Sequence, residues 1–216
     1  MKVIATGTDA RLAERLRAEG FDVTESPLIR IEPVGGPAIC AEGYDWLILT
    51  SRHGVEHLFE RLEGPIPKVA VIGPGTADAL RERGIEPALV ASVSTQEGLI
   101  ADFPRGPGRV LFAGAEGARD KLVHELEADF APLYRTVELE LDEVPRGGLA
   151  VIASASAARA LAATGATLPC VSIGPLTSGE ARRHGLDVVA EAASHDLEGL
   201  VRAVKLAASQ AASSPS

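Results

Sequence analysis

The sequence predicts an α/β fold: two flavodoxin-like domains with parallel sheets, one inserted in the other and joined by a two-stranded β connector. Three observations carry this prediction. Short apolar runs alternate with amphipathic stretches along the chain. One stretch recurs 101 residues later, from Gly73 to Gly174. The piece missing from the end of the second copy stands at the start of the chain. Strand–helix alternation of this kind builds parallel sheets covered by helices.

The elements follow in order. Residues 3–6 form an apolar run before an amphipathic stretch, 10–19, in which Leu12 and Leu16 stand one turn apart and Gly20 stops the helix. Runs at 46–50, 69–72, 110–113, 150–153 and 171–173 precede helical stretches at 55–62, 76–83, 119–126, 157–163 and 178–184. Gly84 and Gly185 close two of these.

The repeat sets Ile72-Gly73-Pro74-Gly75-Thr76 against Ile173-Gly174-Pro175-Leu176-Thr177. It continues through Arg81-Glu82-Arg83-Gly84 against Arg182-Arg183-His184-Gly185, and Glu97-Gly98-Leu99 against Glu198-Gly199-Leu200. A weaker pair is Leu49-Thr50-Ser51 against Ile152-Ala153-Ser154. The first copy then runs into Val110-Leu111-Phe112-Ala113-Gly114 and Gly117-Ala118-Arg119. The matching piece of the second copy is Val3-Ile4-Ala5-Thr6-Gly7 and Asp9-Ala10-Arg11.

Residues 1–33 plus 138–206 are therefore expected to form domain 1, with domain 2 inserted at 38–132. The crossings, 28–37 and 132–146, contain alternating stretches Leu28-Ile29-Arg30-Ile31-Glu32 and Thr136-Val137-Glu138-Leu139-Glu140, expected to pair as the connector. Gly35-Gly36-Pro37 and Pro145-Arg146-Gly147-Gly148 break the chain beside them. Residues 207–216 are small and polar and read as a disordered tail.

Composition narrows the function. The 216 residues are 46% hydrophobic and 24% charged, enough to build a core, and the net charge is −9. That charge argues against nucleic acid and against an anionic membrane, which need a dense basic surface. Cys40 and Cys170 are far apart and form no zinc or disulfide framework; Cys170, in an apolar run, reads as a buried hydrophobe. No apolar run reaches bilayer length, and the N-terminus enters a strand directly. The expectation is a soluble, cytoplasmic protein, monomeric by default.

Ligands of open parallel sheets bind beyond the carboxyl ends of the strands, and two such domains would face a cleft. The candidates are Gly7 and Thr8, Thr50 and Ser51, Gly73 to Thr76, Gly114, Ser154 to Ser156, and Gly174 to Thr177. These turns combine glycine, hydroxyls and unpaired first helix amides, which together suit carboxylates or phosphates. The plainer reading of Ser51, Thr76 or Thr177 singly is helix capping. Recurrence in both copies favours a shared surface, and the two readings are compatible. No turn is a dinucleotide fingerprint or a P-loop.

The usual catalytic groups are scarce. His53 and His57 share a helix face without the surroundings of a metal site, and His124 and His184 sit among charged residues. His195, beside Asp196, reads as a local helix cap. Glu56, Glu60 and Glu63 form a solvated face. Tyr134, at the second crossing, either donates a proton or packs with its hydroxyl wet; the residues alone favour packing.

Over about residues 1–204 the sequence resembles the uroporphyrinogen-III synthase family. The resemblance lies in the order of several short segments. They are Pro27-Leu28-Ile29-Arg30-Ile31-Glu32-Pro33, Tyr44-Asp45-Trp46-Leu47-Ile48-Leu49-Thr50-Ser51, Val71-Ile72-Gly73-Pro74-Gly75-Thr76-Ala77, Tyr134-Arg135-Thr136-Val137 and Ile173-Gly174-Pro175-Leu176-Thr177. It implies two α/β domains, one inserted in the other, and no metal or organic cofactor. It also implies hydroxymethylbilane, a linear tetrapyrrole polycarboxylate, as substrate. Ring closure would lose water and invert the last pyrrole through a spiro intermediate.

The family's active-site tyrosine falls on Tyr134, its cleft threonine on Thr177, and its strand-end hydroxyls on Ser51 and Ser154. Tyr134 is then the catalytic candidate. The substrate-binding candidates are Thr50, Ser51, Arg52, Gly73, Thr76, Gly114, Ser154, Ser156, Gly174 and Thr177. Many members carry an arginine after the first strand and after the strand at 110–113; here Thr6-Gly7-Thr8 and Ala113-Gly114-Ala115 stand there. Arg11, Arg52, Arg119, Arg135 and Arg159 are the possible replacements. The alternative to a synthase is a non-catalytic relative that binds a tetrapyrrole or a protein partner through the same face.

Overall fold

The computed structural model describes residues 1–139 and 146–213. Glu140 and Pro145 lie outside the described residues, as do the last three residues of the expected tail.

Several helices begin where a strand's apolar run ends in a capping residue, and several stop just before a glycine of positive φ, at Gly20, Gly84, Gly165 and Gly185. The chain opens with β1 (Lys2–Ala5), α1 (Ala10–Ala18) and β2 (Asp22–Glu25). It continues through β3 (Ile29–Pro33), β4 (Ile39–Cys40), β5 (Trp46–Leu49), α2 (Arg52–Leu58), β6 (Leu62–Glu63), β7 (Lys68–Val71) and α3 (Pro74–Arg81). Next come β8 (Leu89–Val90), α4 (Gln96–Asp102), β9 (Val110–Ala115), α5 (Lys121–Glu125) and β10 (Asp129–Glu138). It closes with β11 (Leu149–Ile152), α6 (Ala155–Ala163), β12 (Cys170–Ser172), α7 (Pro175–Arg183), β13 (Val188–Glu191) and α8 (Leu197–Ser213).

The chain divides into two units. Unit 1 is Met1–Arg30 with Val137–Ser216, and unit 2 is Ile31–Thr136. The sheet of unit 1 runs β13-β12-β11-β1-β2, all parallel. Numbered within the unit, that is the flavodoxin-like order 2-1-3-4-5. The sheet of unit 2 runs β3-β10-β9-β5-β7-β8. Under the sequence repeat, β5, β7, β8, β9 and β10 are the equivalents of β11, β12, β13, β1 and β2. The two sheets therefore have the same strand arrangement, entered at a different strand: unit 2 is a circular permutation of unit 1. A small parallel pair, β4 with β6, completes unit 2.

The faces match as well. In unit 1, Ile4, Ala150, Ile152 and Cys170 pack with α6 and α7, while Val3, Val151 and Val171 pack with α1 and α8. In unit 2, Leu47, Leu49, Val69 and Val71 pack with α2 and α3, while Ile48, Ala70, Val110 and Phe112 pack with α4 and α5. Both sheets are thus covered on both faces, which is why their strands read as continuous apolar runs. Gly98 and Gly199 lie under the carbonyls of Val93 and Ser194, where a Cβ would stand 2.2 and 2.0 Å from the oxygens. That contact accounts for glycine in both copies.

β3 lies beside β10 at the edge of the six-stranded sheet. Leu139 N–H donates to the Leu28 carbonyl and Val34 N–H to the Leu133 carbonyl, each at 2.8 Å. The two crossing strands pair, as part of a larger sheet rather than a separate ribbon. The tail needs correction: α8 runs to Ser213. Residues 207–213 are helical because Ala207 is buried against the α1/α8 face and alanine favours the helix.

Candidate functional site

Ser51 follows β5 and caps α2, its Oγ accepting from Gly54 N–H at 2.9 Å. The same oxygen lies 2.8 Å from the Tyr134 hydroxyl, 83 residues away in sequence. Tyr134 sits on β10 beyond an irregularity between Pro132 and Tyr134, paired with Ala115, and Glu116 N–H donates to its carbonyl at 2.7 Å. The residue is 6% exposed, and its ring is flanked by His53 and His57, with centroids 5.9 and 6.0 Å away. Burial pushes the phenol above its ordinary pKa; the Ser51 hydrogen bond opposes this and the Glu56 charge adds to it. Tyr134 is therefore packed, with its hydroxyl engaged by Ser51 rather than wet.

Thr76 and Thr177 are not caps. The N-caps of α3 and α7 are Gly73 and Gly174, neither of which makes a side-chain cap bond, and proline opens each helix. Each threonine falls in the first turn and is 5% exposed. Among the described residues neither hydroxyl has a hydrogen-bond partner. A Cβ on Gly73 would stand 2.5 Å from Ser94 Oγ, and one on Gly174 would stand 2.5 Å from His195 Nε2. Ser94 and His195 are themselves 101 residues apart, so the repeat contained this signal although their types differ. The cap expected of His195 is made by Asp196, which accepts from Gly199 N–H at 2.7 Å. An imidazole cannot replace that short carboxylate while lying over Gly174.

In unit 1, Ser154 caps α6 through Ala157 N–H at 3.1 Å, and Ser156 accepts from Arg159 at 3.4 Å. Thr50 borders Gly114 in unit 2, where a Cβ would meet its Oγ1 at 3.6 Å and the Phe112 ring at 2.9 Å. All five candidate arginines are tied to carboxylates of their own unit. Arg52 pairs with Glu82 at 2.8 Å, Arg119 with Glu97 at 2.7 Å, and Arg11 with Asp9 at 2.5 Å. Arg135 lies 3.7 Å from Glu32, and Arg159 lies 3.0 Å from Glu138 and 3.3 Å from Glu180. Glu82 is the C-cap of α3, so Arg52 is drawn toward the helix end opposite the Gly73 turn.

Among the described residues no group of His, Cys, Asp or Glu is arranged to hold a metal. No helix among them is long and apolar enough to cross a membrane. Burial pushes the Cys170 thiol up to about 12, and Asp187 adds to the rise.

Fold and geometry define a class: a protein of two doubly wound α/β units with helix starts, hydroxyls and one buried phenol at the strand ends. A family model described as uroporphyrinogen-III synthase HemD matches residues 10–202. The chain belongs to the uroporphyrinogen-III synthase family. A protein named uroporphyrinogen-III synthase from Synechococcus elongatus is 32% identical over 143 residues, 59% of this chain and 54% of that protein. The chain thus spans about half the length of that relative. The fold is shared with a mutant uroporphyrinogen III synthase of Thermus thermophilus, at TM-score 0.65 and 18% identity over 97% of this chain and 99% of that one. A uroporphyrinogen-III synthetase of Helicobacter pylori gives TM-score 0.67 at 18% identity, with the same coverage.

Proposed function

We propose that the chain is a uroporphyrinogen-III synthase, a cyclising lyase of tetrapyrrole biosynthesis that acts on hydroxymethylbilane. The observation that carries this reading is the part-buried Ser51–Tyr134 hydrogen bond of 2.8 Å, in a chain of this family. Ser51 Oγ already accepts from Gly54 and has its own proton to give to the phenol oxygen. The phenol proton is then free for the substrate's terminal hydroxyl, and burial keeps that proton in place at neutral pH.

The carbon–oxygen bond of the hydroxymethyl group breaks as Tyr134 protonates the leaving oxygen, and water departs. The substituted carbon of the last pyrrole attacks the electron-poor methylene and forms the spiro intermediate. That intermediate fragments and recloses with the ring inverted. The proton finally lost from the ring carbon returns to the phenolate, so the protons balance. Pyrroles are reactive enough for such bond changes; the protein supplies the orientation that simple closure avoids. We assign the unpaired hydroxyls of Thr76 and Thr177, and the open starts of α3 and α7, to substrate carboxylates.

The test is an isomer-resolved assay. Purified protein is given hydroxymethylbilane without added metal, and uroporphyrins I and III are separated after oxidation. Type III above the spontaneous background is the expected result. Type I alone from folded protein sinks the proposal and leaves a binding relative in its place.

A further inference from the structure

Unit 1 holds a buried polar chain where unit 2 is apolar. We propose that this chain, ending on Glu191, positions the first turn of α7 so that Thr177 meets the substrate, an inference that rests on the function proposed above. Ser172, the last residue of β12, has its Oγ 2.5 Å from Ser178 Oγ, and Ser178 donates to Glu191 Oε2 at 2.5 Å. The one hydroxyl proton of Ser178 goes to the carboxylate, so Ser172 donates to Ser178 and the chain has a single direction. Ser172 and Ser178 are fully buried, whereas Glu191 is exposed at the end of β13, in register with Ser172.

The equivalent residues of unit 2 are Val71, Ala77 and Val90, with Val71 and Val90 in the same register. The fold therefore closes this junction with apolar side chains. Burying two hydroxyls against a carboxylate costs desolvation that valine and alanine avoid, and returns directional, charge-assisted bonds. Those bonds join β12, α7 and β13 around the turn that carries Gly174 and Thr177. Apolar contacts tolerate rotation of a helix start; this chain does not. Because Ser178 directly follows Thr177, fixing one fixes the other. Ser172, Ser178 and Glu191 are positioning residues.

The test uses the full chain with Glu191→Val, the triple S172V/S178A/E191V that installs the residues of unit 2, and Glu191→Gln, which keeps an acceptor oxygen. The readouts are kcat and KM for hydroxymethylbilane, the urea midpoint, and calorimetric binding of uroporphyrin III. E191V and the triple should lose on the order of tenfold to a hundredfold in kcat/KM, and uroporphyrin III affinity should fall with it. The triple's urea midpoint should stay at or above that of the unchanged protein. E191Q should recover to within about threefold. The proposal is overturned if the triple keeps full kcat/KM and affinity, if E191Q is as poor as E191V, or if activity falls only where the midpoint falls. Should the unchanged protein make no type III isomer, the synthase reading fails alone, and the uroporphyrin III affinities still decide this one.

Discussion

Ser51 and Ser154 occupy equivalent places in the two units. Each follows the central strand of its sheet, accepts from the amide three residues on, and starts a helix. Only Ser51 meets a phenol. Pro132-Leu133-Tyr134-Arg135 in unit 2 corresponds to Pro27-Leu28-Ile29-Arg30 in unit 1, so the position of Tyr134 is filled there by Ile29. Leu28 and Leu133 are both fully buried. The copies retain whatever holds the backbone: the caps, the glycines under carbonyls, the apolar faces. They differ at Tyr134 on one side and at the Ser172–Ser178–Glu191 chain on the other.

The equivalence breaks most visibly in the core if it is wrong. Leu28→Ala and Leu133→Ala should each cost about 2–5 kcal/mol in urea unfolding, because both leave a cavity beside a crossing strand. Clearly unequal losses would mean that the two positions are not alike. Tyr134→Phe should lower kcat by about a hundredfold while leaving residual turnover, since orientation survives the loss of the acid. Steady-state rates check this, and full activity would remove Tyr134 from the mechanism. Folding raises the Tyr134 pKa, so the unfolded chain ionises first. The stability from this group is full below about pH 10 and is lost as pH rises through the folded value. Tyr134→Phe should flatten that alkaline limb.

Ser51→Ala and Ser154→Ala should each cost about 1 kcal/mol as lost caps. Only Ser51→Ala should also move the Tyr134 titration further upward, because it removes the hydrogen bond that opposes burial. Tyrosine-labelled NMR, with Tyr44 as the internal reference, separates the two. The smallest effect concerns thiols: Cys40, exposed, should react promptly with a disulfide reagent, and Cys170, buried and pushed up to about 12, should not until unfolding.

The alternation of strands and helices was legible because both sheets are buried on both faces, leaving dense apolar runs such as Trp46 to Leu49. The repeat made the permuted order readable from motifs alone. Helix starts were less legible. The sequence pattern starts the helical stretches at 76 and 178, whereas α3 and α7 begin at Pro74 and Pro175, where a missing N–H costs nothing in a first turn. The edge strands β2 and β13, largely exposed, lack the apolar run that announces a strand. The hydroxyl-bearing turns were found, but the Ser51–Tyr134 bond joins residues of distant elements and has no local signature. The arginines' partners were equally hidden, since a salt bridge such as Arg52 with Glu82 depends on how two helices lie together.

The position of β1 between β2 and β11 has a consequence for synthesis on the ribosome. Unit 2 is one continuous stretch, and the last strand of its sheet is complete once Glu138 has emerged. β1 and β2 are made first, yet β11, the other neighbour of β1, is not delivered until residue 149. At about 5–20 residues per second this is a wait on the order of ten seconds, during which a strand destined for the interior of a sheet has one open edge. The continuous unit can fold in that interval, and the nascent chain then closes the split unit last. A permuted duplication thereby imposes a temporal order on two halves that share one architecture.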